Sequence, residues 1–185
     1  MKLTVTTTPL PDLLIVNVDY FRDDRGFFME SWNKRDFAAA GLDHEFVQDS
    51  HSRSGYGVLR GLHYQDMRAP IGKLVRCTLG RILDVAVDLR VSSATFGKWF
   101  SMELNAENQT QIYIPVGFAH GFATLSEVCE VQYKQTGFYT PDSESGIVWN
   151  DPDVGVKWPY PDPILSNRDG NQPTLKQYLK NPAFK

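Results

Sequence analysis

The sequence predicts an all-β fold, a sandwich or barrel. Three observations lead there. Short apolar or alternating runs, each bounded by turn residues, recur at intervals of roughly ten residues. Turn formers are abundant, with 14 Gly and 11 Pro in 185 residues. Alternation of long helical patterns with strands, the mark of a doubly wound sheet, is absent.

The first strand is expected at Leu13–Val18, and Asp23-Asp24-Arg25-Gly26 then forms a strong turn signal. Further strands are expected at Phe27–Trp32, Val58–Gln65, Lys73–Leu79, Arg81–Leu89, Trp99–Leu104, Gln111–Pro115, Gly121–Leu125, Cys129–Thr136 and Ile147–Trp149. Two short helices interrupt the series. One opens at Asn33, an N-cap residue, and stops at Gly41; the other lies within Pro173–Lys180. No repeat, linker or low-complexity segment divides the chain, so one domain spanning 1–185 is expected.

Hydrophobic residues make up 42% and charged residues 22%, a globular composition able to bury a core. A net charge of −3 gives no electrostatic reason to expect nucleic acid. Met1–Val18 has one Lys and no apolar stretch longer than Leu13–Val16, too short for a signal peptide or membrane span. Cys77 and Cys129 lie in strand-like runs and read as buried reduced thiols, which places the protein in the cytoplasm.

Strand parity sorts the polar residues. Tyr133 shares a face with Cys129 and Val131 and should point inward. Lys73 shares one with Val75 and Cys77, an apolar face ending in an ammonium. Parity slightly favours solvent for Asp84 and Asp88, although an interior Asp84 partnered by His120 is also open. Arg60 and His63 fall on opposite faces unless Gly61 permits a bulge that brings both into one cavity.

Four histidines occur: His44, His51, His63 and His120. Metal-binding sandwiches usually offer two His one residue apart on a strand, but Tyr64 and Gln65 follow His63, and no Cys-x-x-Cys or His-Glu-x-x-His occurs. A metal site is therefore not expected. His44 and His51 sit in polar sequence that reads as solvated loop. No nucleophile elbow or phosphate loop is visible. The residues alone describe a β-sandwich with His, Lys and Tyr available inside.

Several ordered stretches resemble the dTDP-4-dehydrorhamnose 3,5-epimerase family. They are Asp24-Arg25-Gly26-Phe27-Phe28-Met29-Glu30, Phe46-Val47-Gln48-Asp49, Leu59-Arg60-Gly61-Leu62-His63-Tyr64-Gln65 and Gly72-Lys73-Leu74-Val75-Arg76. Ile114-Pro115-Val116-Gly117-Phe118-Ala119-His120-Gly121-Phe122, Val148-Trp149-Asn150-Asp151-Pro152 and Leu165-Ser166 follow. Any one is weak; the ordered set is specific. The resemblance implies a cupin-type jelly-roll sandwich with a few short peripheral helices, a homodimer, and no metal or other cofactor. It implies a dTDP-sugar substrate, dTDP-4-keto-6-deoxyglucose, epimerised at C3 and C5 to dTDP-4-keto-L-rhamnose.

Carried over residue by residue, it makes His63 the general base, Tyr133 the acid on the opposite sugar face, Lys73 the neighbour of the C4 oxygen and Asp169 the partner that orients His63. Arg25, Glu30, Gln48, Asp49, Ser50, Arg60, His120, Glu144 and Arg168 match substrate-binding positions, and Tyr139 matches an aromatic that stacks on thymine. Two positions depart from the pattern: Ser50 stands where Asn is common, and Arg168 where Lys is, keeping the charge with a different geometry. The residue types suit the chemistry. C–H bonds flanking a ketone break through an enolate, which requires a base of near-neutral pKa and positive charge at the oxyanion. Inversion adds a second proton carrier on the other face. Two alternatives of the same architecture stay open: a mono-epimerase inverting one carbon, and a non-catalytic sugar-binding sandwich.

Overall fold

A computed structural model describes residues 2–185. Two sheets face one another as a jelly-roll sandwich. The six-stranded sheet runs β1 (Leu3–Thr7), β2 (Leu14–Val18), β10 (Gln111–Ile114), β7 (Lys73–Leu79), β12 (Val128–Gln135), β5 (Gln48–Gly55). The five-stranded sheet runs β13 (Glu144–Gly146), β6 (Leu59–Gln65), β11 (Phe118–Thr124), β8 (Arg81–Asp88), β9 (Trp99–Asn105). A separate hairpin joins β3 (Phe21–Asp23) to β4 (Gly26–Phe28). The helices are α1 (Lys34–Ala39) and α2 (Leu175–Tyr178).

The helix ends follow their caps. The Asn33 side chain accepts from Asp36 N–H, and Gly41 takes the left-handed φ of +89° that ends the segment. Thr174 and Gln177 form a reciprocal capping box on α2. Asp151 Oδ2 then accepts from Leu175 N–H at 2.8 Å and ties α2 to the loop after β13.

The core lies between the sheets, where Val75, Cys77, Cys129 and Val131 of one meet Ile82, Ala86, Phe118 and Phe122 of the other. Both cysteines are buried free thiols. A second cluster covers the far side of the five-stranded sheet with Leu175, Tyr178 and Phe184 against Val85, Val87 and Leu89. Strand β8 is therefore buried on both faces, which corrects the parity reading of Asp84 and Asp88 as solvent-facing. Each is fully buried and partnered instead. Asp88 accepts from Arg90, Ser93 and Thr95, and Asp84 accepts from His120.

Other expectations shift by element. The predicted Phe27–Trp32 strand is cut short at Phe28, because Met29 and Trp32 turn to pack on Phe37, Leu42 and Tyr113 outside the six-stranded sheet. The predicted strand at 147–149 is irregular: Ile147 N–H donates to Leu62, but Val148 N–H donates to Pro173. The sequence reading missed four strands, β1, β3, β5 and β13. Strand β1 covers β2, so Leu14–Val18 lies inside the sheet and β1 forms its edge.

Candidate active site

Inward side chains of both sheets leave a cavity of about 730 Å³ lined by polar and apolar groups together. Each side comes from a different part of the sequence pattern. From the six-stranded sheet come Gln48, Ser50 and Ser52 of β5, Lys73 at the start of β7, and Tyr133 and Gln135 of β12. Arg60 and His63 of β6 and His120 of β11 come from the other sheet. Tyr139, Ser166, Arg168 and Asp169 join them from the connecting segments, and Leu59, Phe122, Ile164 and Leu165 add apolar surface.

The bulge expected at Gly61 is present. His120 pairs with His63 and Phe122 with Arg60, so two residues of β6 oppose one of β11. Gly61 has φ +120°, and the Gly61–Leu62 peptide is cis. A Cβ on Gly61 would stand 2.6 Å from Gly121 Cα and 2.7 Å from the His120 carbonyl oxygen, so only glycine fits. The irregularity turns Arg60 and His63 to the same side, where both line the cavity. The Arg60 guanidinium donates to Ser54 Oγ at 3.0 Å.

The His63 ring donates through Nε2 to Asp169 Oδ1 at 2.5 Å, and Asp169 Oδ2 accepts from Gly61 N–H at 3.4 Å. Burial opposes the Asp169 carboxylate, but these hydrogen bonds and the charge of His63 outweigh it and hold its pKa below the usual value. Arg168 pairs with Glu144 and stands 3.5 Å from His63 Nε2. The Tyr139 hydroxyl donates to Glu144 at 2.7 Å, and Gln48 Oε1 accepts from Tyr139 N–H.

Across the cavity the Tyr133 hydroxyl lies 3.0 Å from Ser52 Oγ, and its ring meets that of His120 edge-on at 6.3 Å. Desolvation pushes the Tyr133 pKa up, so the phenol is firmly protonated at neutral pH. Lys73 makes no ion pair among the described residues. Desolvation lowers its pKa, with Glu144 and Asp84 opposing the shift. With no carboxylate bonded to it, the Lys73 amine is open to negative charge that develops on a bound ligand.

Four expected site residues lie outside this lining; one of them, Glu144, is joined to it through Arg168 and the Tyr139 hydroxyl. Arg25 sits at the β3–β4 turn bonded to Asp23, Glu30 accepts from Asn33 before α1, and Asp49 points outward from β5 to Lys134. His51 also faces outward, 3.1 Å from Glu130, and His44 stacks on Tyr113 at 4.5 Å rather than lying in solvent. Ser52, Gln135 and Phe122 line the cavity and were not singled out from sequence. The signal for Ser52 was the period of two in Gln48, Ser50, Ser52 and Ser54, whose side chains are all more buried than their neighbours. No three His, Cys, Asp or Glu side chains among the described residues are grouped as a metal site would need.

A jelly roll that sets a His–Asp pair on one wall and a protonated phenol with a lysine on the other defines an enzyme of the acid–base isomerase class. The family model for dTDP-4-dehydrorhamnose 3,5-epimerase matches residues 7–177, and the chain belongs to that family. It is 54% identical over 169 residues to the dTDP-4-dehydrorhamnose 3,5-epimerase of Pseudomonas aeruginosa, covering 90% of this chain and 93% of that one. The crystal structure of a dTDP-6-deoxy-D-glucose-3,5-epimerase from Legionella pneumophila in complex with dTDP-4-keto-L-rhamnose superposes with a TM-score of 0.89. Its identity is 42%, over 95% of this chain and 94% of that chain. A 3'-monoepimerase from Streptomyces bikiniensis in complex with dTDP-quinovose also gives 0.89, but at 30% identity over 96% and 90%.

Proposed function

We propose that this protein epimerises dTDP-4-keto-6-deoxyglucose at C3 and C5, giving dTDP-4-keto-L-rhamnose. The observation that carries the reading is the placement of His63 and Tyr133 on opposite walls of one cavity. Inversion needs a proton removed from one face of the sugar and returned to the other. His63 removes it, and Asp169 holds the ring and favours the imidazolium that forms, as the carboxylate does in hydrolase triads. Lys73 stands beside the C4 oxygen and meets the enolate charge. Tyr133 delivers the proton on the far face, and Lys73 eases the charge the phenolate acquires. Each acid–base step contributes roughly 10²–10⁴-fold.

Arg60, His120, Gln48, Ser50, Glu144 and Arg168 hold the sugar and diphosphate, with guanidinium forks suited to phosphate oxygens. Tyr139, half exposed at the mouth, is placed for stacking on the base. Asp49, Arg25 and Glu30 complete the binding set in a homodimer. Among the described residues no helix is long and apolar enough to cross a membrane. Two buried thiols with no disulfide suit the cytoplasm.

Incubation with dTDP-4-keto-6-deoxyglucose in D₂O tests the reaction. Deuterium at both C3 and C5 of the product is expected. Label at one carbon would establish a mono-epimerase instead, and a sugar recovered without label or inversion would leave a binding protein.

A further inference from the structure

The cavity's second histidine has a carboxylate of its own. Asp84 lies on β8, diagonal to His120 on β11, and its Oδ2 stands 2.8 Å from His120 Nε2. The side chain is fully buried. Its other oxygen, Oδ1, has no hydrogen-bond partner among the described residues. The interior of a sandwich gains nothing structurally from such a group. Ile82 and Ala86, two residues to either side on the same face, are apolar and belong to the core. Across the five-stranded sheet His63 and His120 sit on adjacent, directly paired positions. Each ring thus has its own carboxylate, Asp169 for one and Asp84 for the other.

We propose that Asp84 is a positioning residue for the epimerisation, fixing His120 in the tautomer that carries its proton on Nε2. An ionised carboxylate only accepts, so the nitrogen facing it must donate. That leaves Nδ1 as the ring's uncommitted nitrogen, an acceptor for a hydroxyl of the bound sugar. His120 then reads a hydroxyl rather than donating to a carbonyl or phosphate oxygen. A carboxylate behind a histidine does the same work beside metals and in hydrolase triads, where it fixes tautomer and ring orientation. The inference rests on the epimerase reading, because His120 acts here on the sugar of that substrate.

Asp84→Asn separates this role from packing. The amide keeps the shape and can still accept from Nε2, but it can also donate and so no longer imposes one tautomer. Loss of kcat/KM by roughly 10–100-fold is expected, with the fold intact by circular dichroism. ¹⁵N-labelled histidine NMR of the wild type should show His120 as the Nε2–H tautomer at neutral pH, with mixed tautomers in Asp84→Asn. In a His120→Gln background, Asp84→Asn should cost little more, whereas independent damage would add in full. An Asp84→Asn enzyme with wild-type kcat/KM, or a wild type whose His120 carries its proton on Nδ1 alone, would overturn the proposal. The NMR measurement on wild type decides it even if the variant does not fold. A wild type that fails to turn over the nucleotide sugar would sink the epimerase reading itself, which is a separate outcome.

Discussion

Lys73 shows what the site costs the fold. Its ammonium is harder to keep charged in the folded protein than in the unfolded chain, since desolvation outweighs the attraction of Glu144 and Asp84. Folding therefore carries a penalty at neutral pH. The penalty fades as pH rises through the lowered folded-state pKa toward the ordinary value of 10.5. Lys73→Met should raise stability by about 1 kcal/mol at pH 7 while abolishing turnover. The gain, read by urea unfolding, should shrink as pH approaches that of a free lysine; a gain constant with pH would mean that the charge is not its source. The two proton carriers differ in their expected failures. His63→Asn should stop both inversion and solvent deuterium wash-in while nucleotide binding survives. Tyr133→Phe keeps the ring in the core but has no acid for the far face, so His63 returns a deuteron to the face it came from. Exchange at C5 without inversion is the expected mass-spectrometric result, and inversion at the wild-type rate would place the acid elsewhere.

At the scale of elements, the site depends on two strands that break the usual patterns. Strand β6 bulges at Gly61 so that Arg60 and His63 share the cavity. Gly61→Ala would force a Cβ against the backbone of β11 in a left-handed conformation. A loss of about 3 kcal/mol by chemical denaturation is expected, with activity falling further than stability because His63 is re-aimed. The bulge was legible in the sequence because alternation alone could not place Arg60 and His63 together, and glycine was the one residue able to resolve the conflict. Tyr133 and Lys73 were legible because apolar neighbours two residues away fixed their face. Strand β5 was not. Its inward residues are Gln48, Ser50, Ser52 and Ser54; the first three line the cavity instead of an apolar core and Ser54 accepts from Arg60, so the hydrophobic periodicity that betrays a strand is missing. Asp84 and Asp88 misled parity for a related reason. Parity assumes a solvent face, and α2 with the C-terminal segment takes that face away from β8.

At the scale of the whole molecule, the chain leaves surface that a partner would cover. Phe21, Phe27 and Phe28 of the β3–β4 hairpin are each more than half exposed, and β1 presents an unpaired edge. Clustered exposed phenylalanines on a small hairpin suit a subunit interface, and a dimer by light scattering at micromolar concentration is expected; a monomer would remove the homodimer from the proposal. The same hairpin carries Arg25, and Glu30 follows it, yet neither lines the cavity of its own chain. If both hold the ligand, they must do so in the cavity of the other subunit. Mixing two inactive variants tests this. In a dimer of one His63→Asn and one Arg25→Ala chain, the first lacks the base but lends Arg25 to its partner. The second keeps His63 and receives that arginine, so one complete site forms. Random reassortment of equal amounts should restore about a quarter of wild-type activity. If Arg25 serves its own chain, or serves no site at all, the mixture will show only the average of the two variants measured apart.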